Sequence, residues 1–324
     1  MSDRYVRQEI LAEVGVEGQA RLAAASVLVV GAGGLGCAVL PYLAAAGVGR
    51  LIILDHDRVE ESNLHRQPLY RMSDIGELKV NAARATLQAM NPATAVEAVG
   101  ERLSSRNAAR FLEAADVAID AADSFAATYL LSDTCLRTVK PLVSASVLGL
   151  RGYVGVFCDG APSYRAVFPE LPRQAGSCAE SGVLGTAVGV MGTLQAHLAL
   201  ALLLKWQPPV AGRLLSVDFR TLHVAGFSFA SATEPAEQPI PFIAPAEVAE
   251  SDVVIDLRSV SETPLSPFPA ALRLEVETLE KAQLQLPNEL RIVLCCRSGV
   301  RAWRAAQALR SQGHAKLALI AMGE

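Results

Sequence analysis

The chain has 324 residues, a net charge of −4, 51% apolar residues and 19% charged ones. That length allows a sizeable core split over two domains, and a charge fraction below the usual quarter describes a well-buried globular protein. The acidic balance excludes a basic surface for nucleic acid.

Residues 1–25 begin polar, with Arg4, Tyr5, Arg7 and Gln8, and then turn helical. Val27-Leu28-Val29-Val30 then runs straight into Gly31-Ala32-Gly33-Gly34-Leu35-Gly36. A buried strand that enters Gly-x-Gly-x-x-Gly at a helix start brings backbone N–H groups close to a phosphate. Asp55 follows a second apolar run, Leu51-Ile52-Ile53-Leu54, 19 residues after Gly36. An acid there reaches a ribose hydroxyl. Strands are expected at 26–31, 50–55, 95–99, 116–120 and 141–147, and helices at 35–46, 77–90, 104–113 and 124–138. This alternation, carried to about residue 160, predicts an α/β fold with a doubly wound, largely parallel sheet. Ligands in such sheets sit at the carboxyl ends of strands, so Gly34, Asp55 and Asp123 are expected to share one crevice.

Residues 160–185 show no period and hold Pro162, Pro169, Pro172, Gly176 and Cys178, the pattern of a long functional loop. One apolar helix is expected at 186–205, and strands at 213–218 and 221–227 close the unit. From 230 to 245 the composition is that of a linker. A small α/β unit follows at 246–324, with strands at Val253–Asp256, Ile292–Cys295 and Leu317–Ile320 and a helix at 299–311.

Leu22 to Gly49 and Ser181 to Leu204 carry no charge and are long enough to cross a membrane. The first is broken by glycines and Pro41, and the second holds Gln195, His197 and further glycines, so both read as buried core. Met-Ser-Asp-Arg-Tyr lacks the apolar run of a signal peptide, which sets the expectation of a cytoplasmic protein without a membrane partner. The six cysteines, Cys37, Cys135, Cys158, Cys178, Cys295 and Cys296, form no C-x-x-C pair. Neither a four-cysteine zinc site nor a disulfide framework is expected.

Two constellations carry chemistry. The first is Asp55-x-Asp57-x-Val59-x-x-Ser62-Asn63-Leu64-His65-Arg66-Gln67 with Lys79, Asp120 and Asp123. Arg66 and Lys79 suit phosphate oxygens, and Asp123 suits magnesium. Residue by residue this could be a surface ion-pair network. As a set behind a phosphate turn it suits attack on an α-phosphate, which develops charge that hydride transfer does not. The second is Cys296-Arg297-Ser298-Gly299-Val300-Arg301 between a strand and a helix. Backbone N–H groups wrapped around a sulfur, beside arginines, stabilise an anionic persulfide.

Arg4-Tyr5-x-Arg7-Gln8, the glycine turn, the 55–67 run, Gly76-x-x-Lys79 and Asp120-x-x-Asp123 together resemble the MoeB/ThiF family over about residues 3 to 225. These are adenylyltransferases of ubiquitin-like sulfur carriers, related to the ubiquitin-activating enzymes. The resemblance implies an ATP-binding domain at 1–229, a homodimer, and attack on MgATP by the C-terminal glycine of a carrier ending in Gly-Gly. The products are an acyl-adenylate and pyrophosphate. It implies that Gly31, Gly33 and Gly34 lie under the phosphates and that Asp55 holds the ribose. Ser62, Asn63, Leu64, His65 and Arg66 line the site, Lys79 neutralises phosphate, and Asp123 with Ser124 places magnesium. Arg7 reaches in from the dimer partner. Cys178 matches a mobile-loop cysteine that accepts an acyl or persulfide group, against the alternative of an unused thiol.

Two departures stand out. Ser163-Tyr164-Arg165-Ala166 replaces the first of the family's two zinc-binding C-x-x-C pairs, and the second is missing, so no zinc is expected and ordinary packing must hold the crossover loop. Ser124 stands where the family has Asn. The loop at 296–301 resembles the active loop of a rhodanese, a sulfurtransferase, over about 242–324, with Asp256-Leu257-Arg258 and Pro269-Ala270-Ala271 fitting earlier motifs weakly. The alternative is an inactive rhodanese fold. An active one needs a sulfur donor, a persulfide or thiosulfate, and a Cys296 open to solvent. Taken together, the two halves read as one enzyme that adenylates a carrier and then supplies sulfur to give a thiocarboxylate. Three other readings stay open: a carrier thioester at Cys178, an NAD-dependent dehydrogenase, and a non-catalytic carrier-binding scaffold.

Overall fold

The structure, a computed structural model, describes residues 3–171, 182–281 and 286–323. Five strands, β1 (Ser26–Val30), β2 (Arg50–Leu54), β3 (Ala95–Val99), β4 (Val117–Asp120) and β5 (Leu142–Leu148), pair in parallel in the order β3-β2-β1-β4-β5. β1, β2 and β4 are almost wholly buried, as expected for a strand covered on both faces. The crossovers are α3 (Gly34–Ala46), α4 (Lys79–Met90), α5 (Ala108–Glu113) and α6 (Phe125–Thr138), preceded by α1 (Val6–Glu9) and α2 (Gly15–Ala24). The doubly wound sheet is therefore present.

The alternation stops earlier than the sequence predicts. β6 (Arg151–Phe157) returns antiparallel from β5 through Gly149-Leu150, with Gly149 at φ +59°. A two-residue turn leaves no room for a crossover helix, so β6, β7 (Arg213–Asp218) and β8 (His223–Ser228) extend the sheet antiparallel. α7 (Tyr164–Val167) is a single turn, and α8 (Gly185–Leu203) is the expected apolar helix. By length and composition α8 could cross a membrane, but here it lies on α3, β4, β5 and β6. The contact with α3 needs Gly192, where a Cβ would stand 2.6 Å from the Leu35 carbonyl oxygen.

The second sheet, β10-β9-β11-β12, is parallel: β9 (Val253–Asp256), β10 (Leu272–Arg273), β11 (Ile292–Cys296) and β12 (Leu317–Ala321). It carries α9 (Val276–Lys281) and α10 (Val300–Ser311). Its core is continuous with the first unit: Tyr129, Phe157 and Tyr164 share an apolar cluster with Ile240, Phe242, Trp303 and Cys296. The segment that reads as a linker is docked, with Ile240 and Phe242 buried and Phe242 bridged to Leu319 of β12.

Polar ties hold the start of the crossover segment where packing alone was expected. Glu234 accepts from the Ser163 amide and hydroxyl, both at 2.6 Å. Arg165 forks onto Asp133 at 2.6 and 2.9 Å, and its guanidinium lies 4.5 Å over the Tyr129 ring. The Tyr129 hydroxyl donates to the Phe168 carbonyl at 2.7 Å.

Candidate active site

Val30 pairs with both Leu54 and Asp120, so the glycine turn, Asp55 and the 121–124 turn share one sheet edge. The turn is held in shape before any ligand arrives. The Ala32 amide donates to Asp55 Oδ2 at 2.7 Å, the Asp57 amide to Asp55 Oδ1 at 2.8 Å, and the Tyr70 hydroxyl to the Ala32 carbonyl at 2.6 Å. Each Asp55 oxygen keeps a lone pair for a hydroxyl donor. Burial raises the Asp55 carboxyl above its ordinary value, against the pull of Lys79 and the two amides. Gly36 lets α3 start directly on the turn, since a Cβ there would meet the Gly31 oxygen at 2.2 Å. No side chain caps α3, so its first-turn N–H groups are open to an anion. Beside Gly33, the buried Gln67 amide leaves Oε1 without a partner. An open helix start fits a nucleotide's phosphates, while the Gln67 oxygen, an acceptor, suits a hydroxyl or amino donor instead.

Lys79 opens α4 almost fully buried, with Nζ 2.8 Å from Asp57 Oδ2. The sequence gives Asp57 no role; the structure makes it the anchor of Lys79. Burial lifts the Asp57 carboxyl, but the Lys79 hydrogen bond and charge outweigh this and leave it below the usual range. The Arg66 guanidinium touches the Ser62 carbonyl at 3.3 Å and His65 Nε2 at 2.8 Å, and pairs with no carboxylate among the described residues. The Arg66 carbonyl and Cγ lie beside Gly34. Asn63 donates to Glu60 and Ser62 and accepts from Gln67, while Leu64 packs on the core.

Asp123 is exposed just before α6, and Ser124, the N-cap, makes no side-chain capping bond, so both oxygens are available to a hard cation. Asp55, His56 and Asp57 also bring ligand atoms within 4.8 Å of one another. Behind them Asp120 is fully buried, with Ser144 donating to it at 2.8 Å, and burial raises its carboxyl to about 6. A further cation, Arg102, follows β3 in a stretch with no motif to announce it. Asp57 and Asp123 both act on its charge. Arg7 lies far from this edge. Its neighbour Gln8 donates to the Ala46 carbonyl, at the opposite end of α3 from Gly34. That is roughly 18 Å at 1.5 Å per residue. Cys178 lies outside the described residues.

In the second unit, Cys296 ends β11, and its Sγ accepts from the Gly299 amide at 3.1 Å and the Ala302 amide at 3.4 Å. The amide cradle is therefore there. The open thiol is not: Cys296 has 0% exposure. Strand alternation puts Cys295 on one face of β11 and Cys296 on the other. Both faces are covered, and Phe242, Val300 and Trp303 share the apolar cluster on the Cys296 side. Arg297 and Ser298 are exposed, Gly299 (φ +89°) caps α10, and Val300 is buried. Arg301 forks onto Glu262 at 2.7 and 2.6 Å and donates to the Leu257 carbonyl.

The weak motif at Asp256-Leu257-Arg258 is a buried ion pair. Arg258 donates to both Asp256 oxygens at 2.9 and 2.8 Å, and Ser266 adds a hydroxyl. Burial pushes the Asp256 carboxyl up, but these donors outweigh it and hold it at about 2. A depressed carboxyl stabilises the fold above its unfolded value, near 4, and that stability is lost as pH falls through the folded one. The second unit is expected to lose stability between about pH 4 and 2, read by tryptophan fluorescence of Trp303. Asp256→Asn should weaken the unit at neutral pH and flatten that acid limb.

The ThiF family model matches residues 5–238. A sulfur carrier protein adenylyltransferase of Thermus thermophilus is 49% identical over 67% of this chain and 83% of its own length. The adenylyltransferase and sulfurtransferase MOCS3 of Drosophila yakuba is 34% identical over 95% of this chain and 79% of its own length. Against MOCS3 of Anopheles gambiae, at 46% identity, the chain covers 49% of the relative's length. Among solved structures, E. coli MccB with ATP superposes with a TM-score of 0.61 at 20% identity, over 73% of this chain and 74% of that one, a likeness of fold. The glycine turn, the Lys79–Asp57 pair and these relatives agree: the chain belongs to the ThiF family.

Proposed function

We propose that the chain adenylates the C-terminal glycine of a ubiquitin-like sulfur carrier and then transfers sulfur to it from Cys296. The carrying observation is the uncapped start of α3 flanked by Lys79 and by Arg66, which has no carboxylate partner among the described residues. The carboxylate oxygen attacks the α-phosphorus and the bond to pyrophosphate breaks. Lys79 and Arg66 neutralise the charge that builds, where fixed cations act most strongly. Magnesium, held through Asp123, supplies further neutralisation of the leaving pyrophosphate. Relatives named adenylyltransferases argue against the dehydrogenase and scaffold readings. The site needs no zinc in this reading, since Ser163–Glu234 and Arg165–Asp133 tie the crossover segment.

A second copy of the chain completes the site with Arg7. The reach of α3 keeps Arg7 from its own crevice, and Val6, Ile10, Leu11 and Val16 beside it are exposed apolar residues suited to a partner. A Cys296 persulfide, loaded by a persulfide or thiosulfate donor, then attacks the acyl carbonyl and AMP leaves. A thiol reductant cleaves the resulting acyl disulfide to release the thiocarboxylate.

Incubation with a carrier ending in Gly-Gly, MgATP, thiosulfate and dithiothreitol should give a carrier in which one sulfur replaces one oxygen, weighed by mass spectrometry. Cys296→Ala should abolish that product and keep ATP–pyrophosphate exchange. Exchange without thiocarboxylate in the wild type would remove the sulfur half; no exchange would remove the whole reading. An adduct on the enzyme that thiol cleaves and Cys178→Ala abolishes would instead favour a carrier thioester.

A further inference from the structure

Sulfur chemistry needs Cys296, and Cys296 is sealed. Beyond β12 the chain continues alongside the active loop: the Met322 amide donates to the Cys296 carbonyl and the Gly323 amide to the Arg297 carbonyl, both at 2.9 Å. From the other unit, Arg102 Nη1 donates to the Met322 carbonyl at 2.8 Å. Gly323 sits so close to the same guanidinium that a Cβ there would come within 2.6 Å of Nη1. We propose that Arg102 is a positioning residue: it latches the strand end that is hydrogen-bonded alongside the Cys296 loop, and its release loosens that loop and exposes the thiol to sulfur donor and acyl-adenylate.

The latch is shared with the nucleotide site. Asp57 and Asp123, which gather around the phosphates, attract Arg102. A cation at Asp123 neutralises that acid, and the nucleotide's phosphate oxygens compete with the Met322 carbonyl for the guanidinium, so Arg102 gives up its place at Met322. Adenylation chemistry and thiol exposure are thereby linked through one side chain. This link rests on the adenylation reading above; the latch itself does not.

The test is labelling of Cys296 by iodoacetamide in the full chain, followed by peptide mass spectrometry, with Cys295 as an internal control on the opposite face of β11. Without nucleotide, Arg102→Ala is expected to raise the Cys296 rate about tenfold, the effect of losing one charge-assisted hydrogen bond. Cys295 should stay protected. Arg102→Met, which keeps the stem and removes the donor, should do the same, and Arg102→Lys should fall between. In the wild type, magnesium with a non-hydrolysable ATP analogue should raise the rate, and in Arg102→Ala it should not. Wild-type rates in both unlatching variants, or equal labelling of Cys295, would overturn the latch. If nucleotide leaves the wild type unchanged while the variants label faster, the latch stands and its link to adenylation falls.

Discussion

Lys79→Ala is expected to lower carrier-dependent ATP–pyrophosphate exchange by about 10²- to 10³-fold, the scale of removing one fixed charge from a developing oxyanion. The thermal midpoint should barely move. Lys79 is buried at the head of α4, but its partner Asp57 is half exposed and can be rehydrated when the ammonium is gone. The backbone bond from the Lys79 amide to the Asp57 carbonyl, 2.9 Å, survives truncation. What is lost is charge at the phosphates. Burial already raises the Asp55 carboxyl, and Lys79 is the largest influence pulling it down. The variant's residual exchange should therefore need a higher pH. Lys79→Arg should not rescue it, because a planar fork does not fit a pocket shaped for a point charge. Exchange within tenfold of wild type would show that Lys79 is only structural.

Arg165→Ala is expected to be the most destabilising of the substitutions considered, by about 3 kcal/mol, since it removes a buried guanidinium and leaves a part-buried carboxylate unpaired. The side chains of Arg165 and Asp133 are 6% and 22% exposed. The guanidinium also lies 4.5 Å from the Tyr129 ring centre and 5.9 Å from that of Trp303, so the change strips cation–π contact from both units. Urea unfolding followed by fluorescence reads the loss. Replacing both partners with apolar residues, Arg165→Met with Asp133→Leu, should recover much of it, because no lone charge then remains. A loss under 1 kcal/mol in the single variant would mean that Asp133 finds water, as surface pairs do.

The parts of the fold legible in the sequence are those with a one-dimensional signature. Buried runs such as 27–30 and 51–54 mark β1 and β2, and β3 and β7 fall at the residues expected. β6 escapes because Gly152 and Gly155 dilute its apolar pattern and only a two-residue turn separates it from β5. α5 starts at Ala108 instead of 104, because the Ser104 amide donates to the Asn107 side chain and holds a turn there. In the site, the glycine turn, Asp55 and the 121–124 turn share one sheet edge, while Arg7 lies at the far end of α3. Arg102 was not legible, since its partner lies 220 residues away in another unit. The covering of Cys296 was not legible either: strand alternation names a face but not what packs on it, and Phe242 comes from a segment whose composition says linker.

The aromatic cluster that Tyr129, Phe157 and Tyr164 share with Phe242 and Trp303 has a bearing on how such a fusion is inherited. A chain ending at 229 would bare three rings that the second unit now roofs, and a free 246–324 fragment would carry Trp303 into water. The halves have become obligate neighbours. Exchange of one for a foreign sulfurtransferase must bring its own matching roof, so recombination at this junction should be rarer than substitution within either half.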